Sequence, residues 1–329
     1  MNEQGPYTAV AERPTTFGDV RQAAARIAGH VHRTPVLTSR SLNERLGGEV
    51  YFKCENFQRI GAFKARGAVN AVLSLDEETA ARGVATHSSG NHGAALALAA
   101  SLRGIPAWIV IPDDAPAVKT ESVRRLGARV VACAPGLKHR EQGLEQVVAE
   151  TGAEVVHPYN DWRVIAGQGT AALELLEAHP GLEVLLAPVG GGGLISGSAI
   201  AAKAMHPGIA VIGCEPAGAA DAKRSFDTGE LQPMPEPRTI ADGLRGALGT
   251  RTFAVIRTLV DDIVTVSEED IVQAMRLVWE RLKIVIEPSC AVPVAALLAG
   301  AVSLDGRRAG VILTGGNVDL DRLPWLAER

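Results

Sequence analysis

The chain has 329 residues, 47% hydrophobic and 21% charged, the balance of a globular protein large enough for two lobes. Its 33 Lys and Arg against 37 Asp and Glu give a formal net charge of −4 with no basic block, which argues against nucleic acid or an anionic membrane as the main partner. No apolar run approaches the roughly 20 residues of a membrane span.

The start, Met1-Asn2-Glu3-Gln4-Gly5-Pro6, lacks the charged and apolar regions of a signal peptide, so a cytoplasmic location is expected, with the first dozen residues as a loose tail. Cys54, Cys133, Cys214 and Cys290 are scattered, without a CxxC pair or a histidine at ligand spacing. They read as reduced thiols rather than a zinc site.

In chain order, the runs 49–53, 107–111, 129–132, 184–189, 210–213 and 310–313 are short, apolar and β-branched, and read as strands. Between them, 91–102, 117–126, 140–151, 167–178 and 268–282 read as helices. Continuous apolar strands separated by helices indicate buried parallel sheets in an α/β protein. The unit from Gly83 through Ala132 is a compact βαβαβ set.

Four segments carry chemistry. Lys64 lies in the small, apolar stretch Gly61-Ala62-Phe63-Lys64-Ala65, where desolvation favours the neutral amine that attacks carbonyls. Gly190-Gly191-Gly192-Gly193 follows a strand and precedes a helix, so its backbone N–H groups can converge on a phosphate. The run lacks the Gly-Lys-Ser/Thr ending of a nucleotide P-loop. Ser88-Ser89-Gly90-Asn91-His92-Gly93 also opens a helix, whose N-terminus suits a carboxylate. The fourth segment is Thr314-Gly315-Gly316-Asn317. Taken singly, these also read as a surface lysine, a flexible turn and a capped helix.

Together and in this order, the segments resemble the serine/threonine dehydratase and serine racemase family of fold type II pyridoxal-phosphate enzymes. The resemblance runs from about Phe17 to Asp319. It implies two lobes, each a mostly parallel sheet flanked by helices. A discontinuous large domain of residues 1–75 and 158–329 would bind pyridoxal 5′-phosphate, beside a small domain of residues 76–157. It implies Lys64 as the Schiff-base lysine and catalytic base, with Phe63 against the cofactor ring. Gly190, Gly191, Gly192 and Gly193 would form the phosphate cup, Asn91 would meet the 3′-oxygen, and Thr314 would meet the ring nitrogen. Ser88, Ser89, Asn91 and His92 would neighbour the substrate, with Ser89 as the second base that racemisation requires. Glu215, Asp221 and the Ala219 carbonyl would bind Mg²⁺ or Ca²⁺ through oxygen ligands.

The chain departs from the family in places. Ala62 and Gly246 stand where serines occur, and Tyr159 where an asparagine can occur. Arg140 matches an arginine near the substrate in racemase-like members and could serve a second carboxylate. The expected activity is dehydration and deamination of a small L-β-hydroxy amino acid, by default L-threonine or L-serine. Serine racemase is one alternative, and a dehydratase of 3-hydroxyaspartate or another specialised hydroxy amino acid, with Arg140 or Tyr159 reading the side chain, is the other. A homodimer acting on a free amino acid is expected.

Overall fold

The computed structural model describes residues 13–88, 90–115 and 117–326. The expected N-terminal tail and Ser89 lie outside these residues. The chain is α/β. Its strands are β1 (Val36–Leu37), β2 (Glu49–Cys54), β3 (Val84–Thr86), β4 (Ala107–Pro112), β5 (Arg129–Cys133), β6 (Glu154–Val155), β7 (Val184–Pro188), β8 (Ala210–Pro216), β9 (Asp262–Val266) and β10 (Arg308–Leu313). Six form one sheet in the order β1-β2-β10-β7-β8-β9, and four form another in the order β5-β4-β3-β6. Among the described strands only β1 pairs antiparallel, with β2. Every residue of β7 is buried, as expected of a central strand covered on both faces.

This order brings the chemistry together. β10, last in the sequence, inserts between β2 and β7, with Leu313 opposite Cys54 and Val311 opposite Leu186. Because the three strands are parallel, their following loops emerge at one edge of the sheet. Those loops are residues 55–63, 314–317 and 189–192. The Ser88 loop follows β3 of the smaller sheet.

The helix Trp162–Ala178 lies against both the helix carrying Lys64 (Lys64–Leu73) and the helix following the glycine run (Gly193–Met205). The backbones approach so closely that a methyl group added at Gly167 would lie 2.6 Å from the Arg66 carbonyl oxygen. One added at Gly197 would overlap the Ile165 carbonyl and lie 2.6 Å from Gly169 N. Ile165, Leu175 and Leu176 on the same helix are wholly buried. Each contributes about 1.5–3 kcal/mol of apolar burial. Lys64 and the glycine loop are therefore referred to one rigid rod.

The six strand runs read from the sequence each coincide with a strand to within a few residues at the ends, and the helix Glu268–Leu282 has the expected bounds. The helix read from Gly167 begins at Trp162, because Asp161 caps it by accepting from Arg163 N at 2.8 Å. The helix read from Arg140 begins at Leu137. β9 was not expected. All four cysteines are free, and Cys54, Cys214 and Cys290 are buried. Among the described residues no helix is long and apolar enough to cross a membrane.

Candidate active site

Lys64 opens its helix directly after a loop that is stitched to the segment following β10. Phe63 N donates to Thr314 O at 3.0 Å, Gly316 N donates to Gly61 O at 3.0 Å, and Ala62 bridges Gly315. Two residues on, Arg66 is wholly buried and forks onto Glu55 (2.7 and 2.8 Å) and Glu174 (2.7 and 2.9 Å). Buried Lys53 completes this cluster on Glu174 at 2.6 Å. The first turn of the lysine helix is thus pinned by bidentate ion pairs. The Lys64 amine donates to the Pro158 carbonyl at 2.8 Å and lies 5.1 Å from the centroid of the Phe63 ring. Desolvation lowers its pKa to about 8, against the opposing charge of Glu287. The amine is therefore partly neutral near physiological pH.

The glycine run fills the turn between β7 and the helix Gly193–Met205. Gly192 has φ +85°, a left-handed conformation that side chains resist. The first-turn N–H groups of the following helix have no intrahelical acceptor, so an anion fits there. Thr252 Oγ1 donates to Gly191 O at 2.8 Å and ties the loop to the helix Thr250–Leu259.

Asn91 begins the helix Asn91–Arg103 and reaches across to the larger sheet. Its Nδ2 donates to both Glu287 oxygens (3.1 and 3.3 Å), and its Oδ1 accepts from Asn317 Nδ2 at 2.9 Å. Glu287 also accepts from Asn317 N at 3.2 Å. Ser88 is partly buried, with its Oγ accepting from Gly90 N at 3.4 Å. His92 is buried, and its Nε2 contacts the Val156 carbonyl at 2.9 Å, so Nε2 carries the proton. Burial, then the Lys64 charge, lowers its pKa to about 3. His157 is likewise lowered to about 3 by burial and by its neighbours His87 and His92. Arg140, partly buried in the helix Leu137–Thr151, adds to the burial that lowers the pKa of His87, immediately before Ser88. His87, His92 and His157 are thus biased toward the neutral imidazole, with the Arg140 charge acting on His87. Thr314 is buried at the lysine loop.

Glu215, at the end of β8, is buried and accepts from Ala222 N (3.0 Å) and Lys223 N (2.9 Å). Asp221 Oδ2 accepts from Leu248 N at 2.9 Å, while Oδ1 is buried with no partner among the described residues. Burial, with the charge of Asp221, pushes Glu215 up to about 8, and burial also raises Asp221. Buried Ala219 lies between them in sequence. Among the described residues no group of three or more His, Cys, Asp or Glu gathers as a metal site. An acid pair with an orphaned oxygen fits either a shared proton or a cation completed by carbonyl and water.

Glu287, Asn317 and Pro158 meet the site without a role assigned from sequence, and Tyr159, a candidate for reading the substrate side chain, lies on the glycine loop. Glu287 could have been suspected, since an acid preceding Pro288 at a helix start is a capping signal.

The residues present suit a phosphorylated aldehyde: an amine biased toward neutrality and an anion-binding helix start are referred to one frame. The chain matches the family described as pyridoxal-phosphate dependent enzyme over residues 27–315. It is 51% identical over 310 residues to a β-hydroxyaspartate dehydratase of Paracoccus denitrificans (strain Pd 1222), covering 94% of this chain and 98% of that protein. It is 50% identical over 309 residues to a serine racemase of Arabidopsis thaliana, covering 92% of this chain and 93% of that protein. The solved serine racemase from Dictyostelium discoideum superposes with a TM-score of 0.90 at 47% identity, covering 93% of this chain and 99% of that chain. On these matches and this architecture, the chain belongs to the pyridoxal-phosphate-dependent enzymes of fold type II.

Proposed function

We propose that this protein is an ammonia-lyase that dehydrates and deaminates 3-hydroxyaspartate, giving oxaloacetate and ammonia. The choice of a dicarboxylic substrate is carried by the 51% identity to a protein named β-hydroxyaspartate dehydratase, with Arg140, whose charge acts on His87, as the side chain for the second carboxylate. One carboxylate of the substrate meets the start of the helix Asn91–Arg103, and the second meets Arg140. L-Threonine and L-serine have the hydroxyl but lack the second carboxylate, and are the poorer substrates.

Bound pyridoxal phosphate supplies the electron sink that acidifies the substrate α-carbon. When bound, it would be held by Lys64, the N–H groups of Gly190, Gly191, Gly192 and Gly193 would take its phosphate, Asn91 would meet its 3′-oxygen, Thr314 its ring nitrogen, and Phe63 would line the ring. The Lys64 amine, freed when the substrate amine takes its place and with its pKa lowered by burial, would take the proton from the substrate α-carbon. The Pro158 carbonyl aims the amine. The Lys64 ammonium would return its proton to the β-hydroxyl, which leaves as water; the remaining enamine takes up water to give the keto acid and ammonia. Glu215, Asp221 and the Ala219 carbonyl would hold Mg²⁺ or Ca²⁺ through oxygen ligands.

Serine racemisation is the second reading, supported by the 50% identical relative of that name. It would use Ser89 as proton donor on the opposite face. Arg140→Ala tests the substrate assignment. It should raise KM for 3-hydroxyaspartate at least about tenfold and leave L-serine nearly unchanged, the scale of one lost charge-assisted hydrogen bond. Equal effects on both substrates would remove Arg140 from substrate recognition.

A further inference from the structure

Tyr159 sits where three parts of the site meet. A methyl group added at Gly191 would fall among its ring atoms Cγ, Cδ1 and Cε1. One added at Gly193 would lie 2.9 Å from Tyr159 Cβ and 3.0 Å from its Cα. At Gly246, an added methyl would lie 3.4 Å from Cε1 and 3.7 Å from the phenol oxygen. The ring therefore lies along the glycine loop, with its far end over Gly246. Two departures from the family pattern, Tyr159 and Gly246, are thus packed on one another.

The residues flanking Tyr159 are equally committed. The carbonyl of Pro158 receives the Lys64 amine at 2.8 Å. His157 stands edge-on to the Tyr159 ring, centroids 4.5 Å apart, and its Nδ1 accepts from Tyr159 N (3.3 Å) and Asn160 N (2.9 Å). Asn160 accepts at Oδ1 from Arg251 N (2.9 Å) and at its carbonyl from Arg251 Nη1 (2.9 Å). That anchors the segment to the helix Thr250–Leu259, whose Thr252 also holds Gly191 O. Segment 157–160 is a strap, fixed at both ends, with the lysine on one side and the glycine loop on the other.

We infer that Tyr159 is a positioning residue: its ring sets the shape of the glycine loop for the cofactor phosphate, in register with the lysine held by Pro158. A run of glycines is soft, because each residue has wide backbone freedom. A cup built from soft backbone binds an anion well only if something else fixes its geometry. The Tyr159 ring is a rigid plate packed on the one partly exposed member of the run, Gly191. On this account Gly191 lacks a side chain because the Tyr159 ring occupies that space, and Gly193 because the Tyr159 Cα and Cβ do, as well as to admit phosphate. The assignment rests on the family's cofactor and not on the choice of substrate, so it fails separately from the hydroxyaspartate reading.

The test uses two ligands that differ only in the phosphate. The full chain, freed of cofactor by dialysis, is titrated with pyridoxal 5′-phosphate and with pyridoxal, following absorbance. Tyr159→Phe keeps the plate and should bind pyridoxal phosphate within about twofold of the parent. Tyr159→Leu and Tyr159→Ala should weaken pyridoxal phosphate at least about tenfold and pyridoxal less than about threefold. A merely structural role would weaken both ligands equally, and that result, or no weakening, would overturn the inference. Gly191→Ala supplies the reciprocal arm. Alone it should bind poorly, and adding Tyr159→Ala should recover at least about threefold, because the ring that the methyl group strikes is gone. If the double variant binds no better than Gly191→Ala alone, Tyr159 is not what the loop is shaped around.

Discussion

The Lys64 amine sits where burial pulls its pKa down to about 8, with Glu287 pulling the other way. An amine of this kind reacts with aldehydes at a pH where surface lysines do not. Borohydride trapping of pyridoxal phosphate on the cofactor-free chain should therefore rise with pH to a midpoint near about 8, and Lys64→Ala should abolish it. A midpoint near the ordinary lysine value of about 10.4 would contradict this reading of the pocket. The two histidines lowered to about 3 by burial, His92 and His157, make a second prediction. Between their unfolded value of about 6.5 and their folded value, the unfolded chain binds the protons and the folded one does not, so stability falls as pH falls. At about pH 5 each costs about 2 kcal/mol relative to neutral pH. His157→Asn keeps an acceptor for the Asn160 amide, and urea unfolding should show the pH 7.5 to 5 difference shrinking by about 2 kcal/mol. An unchanged difference would mean that His157 is charged in the folded state.

Among the elements, the helix Trp162–Ala178 is the part on which the site's geometry depends. Gly197→Ala would drive a methyl group into the Ile165 carbonyl, forcing the phosphate-loop helix outward. The expected loss is about 1–3 kcal/mol in thermal unfolding, with weaker cofactor retention; a variant with parental stability and retention would show that the helices can slide. Some of these elements were legible in the sequence because their signals are local. Ser267 followed by Glu268, Glu269 and Asp270 marks a helix start that the structure reproduces. The glycine run was legible for the same reason. The start at Trp162 was hidden because Asp161 lies in an irregular segment that carries no periodic pattern. β9 was hidden because it is an edge strand with an exposed first residue and mixed polarity. The partnership of Asn91 with Glu287, 196 residues apart, has no local signature. Tyr159 was visible as a departure from a motif and a candidate for reading the substrate side chain, whereas its contact with Gly191 exists only after folding.

At the level of the whole molecule, β10 threading between β2 and β7 gathers three loops, and Asn91 ties them to the helix that follows the smaller sheet's β3. The acid pair Glu215 and Asp221 lies at the C-terminal end of β8, the same edge from which the glycine loop leaves β7, and Asp221 accepts from Leu248 N. A divalent cation there would neutralise two buried carboxylates and stabilise the folded state by mass action. Chelation should lower the unfolding temperature, and Mg²⁺ or Ca²⁺ should restore it; Asp221→Asn should abolish the response. Indifference to both treatments would leave the pair as two acids sharing a proton. The central claim is that this fold type II framework eliminates water from a dicarboxylic hydroxy amino acid. It is tested by kcat/KM for 3-hydroxyaspartate, L-serine and L-threonine, with keto acid, ammonia and product chirality measured in the same mixtures. The account predicts that 3-hydroxyaspartate has the highest value and yields oxaloacetate and ammonia in equal amounts. Preference for L-serine, with D-serine accumulating ahead of pyruvate, would contradict it.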